Sequence, residues 1–503
     1  MSDIKIRKIN HAFLRVECED RGILMELSEF FKFRVDGYQF MPSYKSGVWD
    51  GYVRLFNSRD NSIYSGLYRH IVKFAETDGR NYTIETVNDP VYGTPGEQNN
   101  IDDSFISNTP VTSKGQKIQA RDYQVDAITH ALSSKQALLI SPTASGKSLI
   151  IYYICRWFLE NRSSENSKIL IIVPTTSLVE QMYSDFADYS EFDDSFKVSD
   201  SVQKIYGGKE KTADFTAVIS TWQSIYKLQK PWFKQFGMVI GDESHTFKAK
   251  SLTSIMGKLE DAEYRFGTTG TTDGVETNEL TLQGVFGPKY QVTTTKTLMD
   301  SGSLAKLNIQ MLLLKYPEET RKLTKGLNYQ DEMNFIVSHE GRNKFIRNLA
   351  LDQKGNTLVL FQFVEKHGKI LHRMIQEKAE DDRYIFYVSG ETDVEAREQV
   401  RQVTETQSNA IIVASVAVFA TGVNIRNIHN IVFSSPSKSQ IRVLQSIGRG
   451  LRKADDGSDT TLYDLTDDLH WGKKKNYTLN HSKERLQVYS KEKFKFQIHE
   501  VPL

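Results

Sequence analysis

The fold is decided by Ala137-Leu-Leu-Ile-Ser-Pro-Thr-Ala-Ser-Gly-Lys-Ser148 and the run that follows it, Leu149-Ile-Ile-Tyr-Tyr-Ile154. Four apolar residues, Ala137–Ile140, read as a buried strand; small and polar residues then make a loop; the apolar run from Leu149 continues as a helix. A loop of this composition lets backbone N–H groups wrap an anion at a helix N-terminus. A lysine can then meet the β/γ-phosphates of a nucleotide and a hydroxyl can hold a magnesium ion. Gly146, Lys147 and Ser148 stand at those places, with Thr143, Ala144 and Ser145 lining the loop. Two positions depart from the usual pattern: Ser141 occupies the place of its first glycine, and Ala144 replaces another.

Some 95 residues beyond Lys147 comes Met238-Val-Ile-Gly-Asp-Glu-Ser-His245, an apolar run ending in paired carboxylates. Asp242 is placed to hold magnesium and Glu243 to polarise an attacking water, the division of labour that phosphoryl transfer needs. Phosphate loop and carboxylates together imply Mg2+-dependent hydrolysis of a nucleotide. Around them the apolar runs Ile169–Val173 and Ala217–Ile219 alternate with helical segments. A second series contains Leu358–Phe361, Tyr384–Val388, Ala410–Val413 and Ile431–Phe433. Continuous apolar runs are the mark of buried parallel strands, so two consecutive α/β blocks are expected. The second block carries Gln445-Ser-Ile-Gly-Arg-Gly-Leu-Arg452, in which Arg449 and Arg452 share a helix face. Two guanidinium groups reaching a γ-phosphate from another domain would stabilise transition-state charge.

These segments, taken in order, resemble superfamily 2 helicases. The set comprises Arg121-Asp-Tyr-Gln124, the phosphate loop, Val173-Pro-Thr-Thr176, Ser220-Thr-Trp-Gln223, Asp242-Glu-Ser-His245, Thr269-Gly-Thr271, Ala420-Thr-Gly-Val-Asn424 and Gln445–Arg452, across residues 118 to 467. The resemblance implies two tandem RecA-like parallel-sheet domains that hydrolyse ATP in the cleft between them. It assigns the adenine edge to Gln124, nucleotide contacts to Gly422 and Asn424, and catalysis to Lys147, Asp242, Glu243, Gln445, Arg449 and Arg452. His245, Thr269 and Thr271 would couple nucleotide state to the nucleic acid. Pro174, Thr175, Thr221, Gln223 and Thr421 would touch the strand backbone, although hydroxyls at such places also serve as turn and helix caps. Asp-Glu-Ser-His favours DNA over RNA, with single strands, forks, junctions and RNA–DNA hybrids as implied partners. An RNA helicase of the same superfamily and a nucleotide-gated scaffold without motor activity are the alternatives.

The domains expected are 1–112, a small α+β accessory domain for DNA recognition; 113–295 and 296–467, the two RecA-like domains; and 468–503, a basic helical tail. A polar stretch, Asn88–Lys117, is the candidate linker. In the first domain Phe31-Lys-Phe-Arg34 and Lys45–Arg54 interleave aromatic and basic residues, which fits a small sheet with its rings inward and charges outward, or else base stacking and phosphate contact. The chain of 503 residues has 64 Lys+Arg against 63 Asp+Glu, which excludes a highly basic nucleic-acid tail protein and leaves room for a local basic groove. The tail from Leu469 carries eight Lys+Arg and three Glu. Two cysteines, Cys18 and Cys155, exclude a disulfide framework or a cysteine-rich zinc site. No apolar run reaches the roughly 18 residues of a membrane span, and no signal segment follows Met1, so a cytoplasmic monomer is expected.

Overall fold

Ile4 and Ile6 in β1 (Ile4–Lys8) and Leu14 and Val16 in β2 (Phe13–Glu17) alternate with polar neighbours, so one face of this antiparallel pair is apolar and fully buried. The computed structural model describes residues 2–35, 37–77, 79–87, 101–142, 144–161, 166–247, 249–270, 275–421, 427–435 and 459–503. Two units result, one formed by Met1–Ser141 with Gly146–Val292 and the other built on Thr293–Leu503.

In the first unit β3 (Lys32–Arg34) and β4 (Tyr52–Arg54) form a separate antiparallel ladder. Then β5 (Phe56–Asn57), β6 (Ser62–Tyr64) and β7 (Ile84–Val87) complete a five-stranded sheet of order β5-β6-β2-β1-β7. Helices Arg21–Phe30 and Tyr68–Glu76 bury Ile23, Leu27, Ile71 and Phe74 in its core. This small domain is seated directly on the motor sheet. Its turn Ser65–Leu67 lies so close to helix Glu276–Phe286 that a Cβ on Gly66 would come 2.0 Å from the Gln283 carbonyl oxygen. The Gln136 amide donates to the His11 carbonyl and to Ser65 Oγ, both at 3.2 Å.

The linker is shorter than its composition implies. Residues 88–100 lie outside those described, but Ile106 and Val111 are buried in the motor core. The hairpin of β8 (Thr112–Ser113) and β9 (Gln116–Lys117) is held there by Asp188. Thr112 Oγ donates to the Asp188 carbonyl at 2.6 Å, and the Lys114 N–H donates to its carboxylate at 2.7 Å. Two apolar side chains with a core to enter outweigh the polar residues around them.

The motor sheet comprises β10 (Gln136–Ile140), β11 (Lys168–Val173), β12 (Val202–Ile205), β13 (Ala217–Thr221), β14 (Phe236–Asp242), β15 (Tyr264–Thr269) and β16 (Lys289–Gln291). All its pairings are parallel, in the order β12-β13-β11-β14-β15-β10-β16. The second unit repeats the plan with β17 (Leu307–Lys315), β18 (Thr357–Phe361), β19 (Ile385–Val388), β20 (Ile411–Ser415), β21 (Asn430–Phe433), β22 (Thr460–Asp468) and β23 (Lys495–Pro502). Its order is β19-β20-β18-β21-β22-β17-β23, again with parallel pairings. These are the two parallel-sheet domains expected.

The segment after Asp467 is not a tail. Helix Tyr477–Lys491 packs on the second sheet, and β23 extends that sheet by pairing with β17. Arg485, fully buried, meets Asp464 at 2.8 Å, so one of the basic residues is an internal partner for a strand carboxylate. A second buried pair joins Arg342 to Asp467 at 2.7 Å, with Tyr316 Oη donating to the same carboxylate. The Glu332 carboxylate accepts from the Tyr477 and Thr478 N–H groups at 2.9 and 2.8 Å and so caps the helix.

Candidate active site

In open parallel sheets ligands meet the protein at the carboxyl ends of the strands. The first motor sheet brings Ser141, Pro174, Thr221, Asp242 and Thr269 to that rim, at or just beyond the ends of β10, β11, β13, β14 and β15. Segments separated by more than a hundred residues thus share one edge, because parallel pairing aligns every strand's end.

After β10 the loop turns through Ser145, whose hydroxyl donates to the Pro142 carbonyl at 2.6 Å. Ala144 has φ +65° and Gly146 φ +82°. The alanine therefore takes a left-handed conformation that costs a non-glycine residue roughly 1–2 kcal/mol, a cost that glycine at this place would not incur. Helix Lys147–Asn161 starts at the lysine that the sequence assigns to the phosphates, and Ser148 lies in its first turn. A Cβ on Gly146 would come 2.3 Å from Gln124 Nε2. Gln124 is buried, and its Oε1 accepts from the Arg121 N–H at 2.9 Å, so its amide fastens the start of helix Asp122–Ser134 against the phosphate loop. Thr143 lies outside the described residues.

At the end of β14, Asp242 is 7% exposed. Burial, together with the neighbouring Glu243 charge, raises its carboxyl pKa above the ordinary value. Glu243 takes a left-handed conformation (φ +49°), which turns the chain sharply at the strand end. Its carboxylate lies 3.5 Å from Lys147 Nζ and 3.3 Å from His245 Nδ1, which is in turn 3.1 Å from Thr269 Oγ1. The Ser141 N–H donates to the Thr269 carbonyl at 2.8 Å. Lys147, Glu243, His245 and Thr269 form one chain of contacts within the first unit.

Thr268 was not anticipated. Its hydroxyl donates to Asp242 Oδ1 at 2.7 Å and is fully interior. The signal was available, since parallel register sets Thr268 opposite Asp242, and a hydroxyl in the buried run Arg265–Thr269 needs a partner.

The expected strand contacts are assembled differently. Pro174 and Gln223 do meet, the Gln223 amide donating to the Pro174 carbonyl at 3.3 Å. Thr175 caps helix Thr176–Tyr189 by accepting from the Leu178 N–H. The Thr221 hydroxyl is buried and bonds to Ser224 Oγ at 2.9 Å. Both hydroxyls thus have local partners, and the rim also carries the exposed Gln223 and the backbone around Pro174. In the second unit, Thr421 ends helix Val416–Thr421. Its side chain and Thr271, Gly422, Asn424, Gln445, Arg449 and Arg452 lie outside the described residues.

Two parallel α/β sheets, a phosphate loop and a strand-end Asp-Glu pair coupled through histidine to threonine define a superfamily 2 helicase, an ATP-hydrolysing motor. Three family models match the chain: "DNA helicase UvsW, N-terminal" over residues 3–85, "Type III restriction enzyme, res subunit" over 117–274, and "Helicase conserved C-terminal domain" over 341–454. The ATP-dependent DNA helicase uvsW of Enterobacteria phage T4 is 37% identical over 519 residues, covering 100% of both chains. The chain belongs to the UvsW helicase family. The crystal structure of T4 UvsW matches with a TM-score of 0.51 at 34% identity, covering 99% of each chain. A more distant relative, the DNA 3'-5' translocase XPB2 of Sulfurisphaera tokodaii, is 25% identical over 71% of this chain and 83% of its own.

Proposed function

We propose that the protein is an ATP-driven DNA motor acting on branched nucleic acids, namely replication forks, recombination junctions and RNA–DNA hybrids. The observation that carries this is the contact chain Lys147–Glu243–His245–Thr269, which runs from the hydrolytic group to a strand end on the ligand-binding rim. Lys147 and the first N–H groups of its helix receive the phosphates. Glu243 polarises the attacking water. When its proton state or partner changes, His245 passes the change to Thr269, whose own carbonyl holds the start of the phosphate loop. The full length and family of the phage DNA helicase support DNA as the track.

Magnesium fits the residues present. Asp242 is a desolvated carboxylate beside a second one, with the Lys147 cation near them; a divalent ion would relieve that repulsion. Among the described residues there is no cluster of three or more His, Cys, Asp or Glu side chains able to cage a metal. Mg2+ needs only one or two carboxylates when phosphates and waters complete its shell. Asp242 and Ser148 would hold it, and when bound it neutralises charge developing on the β/γ-phosphate oxygens. Arg449 and Arg452, assisted by Gln445, complete the charge set, and Thr143, Gly422, Asn424, Thr271 and Thr421 act as the sequence implies. Residues 1–112 supply preference for branches. No helix among the described residues is long and apolar enough to cross a membrane, and a monomer in the host cytoplasm suits a motor of this kind.

Steady-state ATPase with no nucleic acid, single-stranded DNA, duplex, fork, four-way junction and RNA tests the reading. Stimulation by DNA above RNA, greatest with branched forms, is expected; a rate indifferent to every polymer would refute it.

A further inference from the structure

The chain passes from the first unit to the second at Val292–Thr293. The strand that ends there, β16, has little backbone to hold it. It is three residues long and forms the edge of the motor sheet beside β10. Side chains supply the rest. Lys289 pairs with Glu279 at 2.5 Å. The Tyr290 ring stacks on His130, with ring centres 4.0 Å apart and 16° between the planes. The Gln291 amide donates to the Ile140 carbonyl at 3.2 Å.

The last two of these contacts lead to the nucleotide site. Ile140 ends β10 and precedes Ser141, where the phosphate loop begins. Its carbonyl already accepts the Val292 N–H at 2.9 Å, and a carbonyl has room for two donors. The Gln291 side chain is exposed and could bond water at little loss, so folding does not require its bond. What the bond adds is direction: residues 291 and 292 are tied to one atom, one residue before the loop. Tyr290 reaches the site by a second route. His130 lies on helix Asp122–Ser134, whose start Gln124 fastens against Gly146. A displacement at the phosphate loop therefore meets β16 through a strand and through a helix, the kind of rigid elements that carry coupling between sites. Beyond Val292 the chain has no slack. Thr294 caps helix Thr295–Asp300 by accepting from the Thr297 N–H at 3.1 Å, so Thr293 alone separates the tied residues from the next capped element. A connection of that length passes on a displacement that a long flexible linker would absorb.

We propose that Tyr290 and Gln291 are positioning residues that carry the nucleotide state into the connection at Thr293. Phosphates filling the loop shift Ser141 and, through Ile140, the anchor of Gln291. Gln124, which the sequence assigns to the adenine edge, acts on Tyr290 through its helix and His130. The inference rests on the motor reading above and adds the residues through which hydrolysis reaches the second unit.

The test uses the full chain unsubstituted, as the double variant Tyr290→Leu/Gln291→Met, and as the conservative pair Tyr290→Phe/Gln291→Lys. The first removes ring and donor at similar size; the second keeps an aromatic ring and a donor. Tyr290 is half-buried at a sheet edge and Gln291 is exposed, so the fold is retained, and a thermal melt checks it. Affinity for a labelled single strand of DNA is measured by anisotropy, without nucleotide and with a non-hydrolysable ATP analogue, beside steady-state ATPase. Linked sites alter each other's affinity about 5- to 150-fold, and the unsubstituted protein should show a ratio in that range. The first variant should bring the ratio close to unity and lose stimulation of kcat by single strands. Its basal ATPase, KM for ATP and melting temperature should persist, and the conservative pair should restore the ratio. A first variant that keeps the full ratio would overturn the inference. So would one whose basal ATPase and melting temperature fall along with the ratio, because β16 would then serve stability alone. Failure of the conservative pair to restore coupling would exclude the ring and the donor as its carriers. An unsubstituted ratio of unity also overturns the inference, whereas the motor reading fails only if ATPase ignores every polymer.

Discussion

Replacing Thr268 with valine keeps the shape and β-branching that β15 needs, and it removes only the hydroxyl that donates to Asp242 at 2.7 Å. A hydrogen bond to a charged group contributes about 1.5–3 kcal/mol. Each 1.4 kcal/mol corresponds to about a factor of ten, so full expression in metal holding would raise the Mg2+ requirement roughly 10- to 150-fold. The carboxylate can recover part of the loss by bonding water, which places the expected shift at about tenfold. The assay is single-strand-stimulated ATPase across a MgCl2 series, with a thermal melt to confirm the fold. The sign of a second effect also follows. The Thr268 bond lowers the Asp242 pKa against the burial that raises it. Without it the pKa rises further, the carboxylate is protonated at higher pH, and the acidic limb of the rate profile moves to higher pH. An intact protein with unchanged Mg2+ dependence and an unmoved limb would refute a positioning role for Thr268.

Glu243→Gln should retain ATP binding but lose turnover by orders of magnitude, checked by nucleotide fluorescence titration beside steady-state rates. Gly66→Ala drives a methyl into the Gln283 carbonyl; the N-terminal domain should loosen, giving a lower melting temperature while ATPase remains. Glu332→Ala leaves the donors of Tyr477 and Thr478 without their carboxylate and should cost about 1–3 kcal/mol, the scale of a buried donor left unsatisfied, read by urea melts. Arg449→Ala and Arg452→Ala should each reduce turnover by about 10³-fold or more with smaller loss of ATP affinity, as for arginine fingers.

The sheets were legible because continuous apolar runs such as Ile169–Val173 admit few other fates, and their ends marked the rim where the motifs lie. The phosphate loop and carboxylates were legible because their chemistry fixes residue types at fixed offsets. The roles of hydroxyls were not. Thr175, Thr221 and Thr268 look alike in sequence, yet one caps a helix, one bonds a neighbouring serine and one holds the Asp242 carboxylate. Only strand register separates them. The segment after Asp467 misled for another reason. Its positive charge suggested a solvated tail, whereas Arg485 is drawn inside by Asp464, a carboxylate on a strand that itself looks like ordinary interior. The alternation Lys495-Phe-Gln-Ile-His was a strand signal outweighed by that charge.

The position of β17 has a consequence for biosynthesis. It is the earliest strand of the second sheet, yet its two neighbours, β22 and β23, are the latest of the described strands to be translated. While roughly 150 further residues are being added, at about 5–20 per second, Leu307–Lys315 must wait with both hydrogen-bonding edges open. A nascent chain in that state offers Met311-Leu-Leu-Leu314 as a template for pairing with another chain. The sheet closes only when Leu503 has left the ribosome and its N–H reaches the Lys315 carbonyl. Ribosomal stalling between residues 470 and 494 should therefore yield insoluble protein, whereas release before residue 300 should yield a soluble first unit.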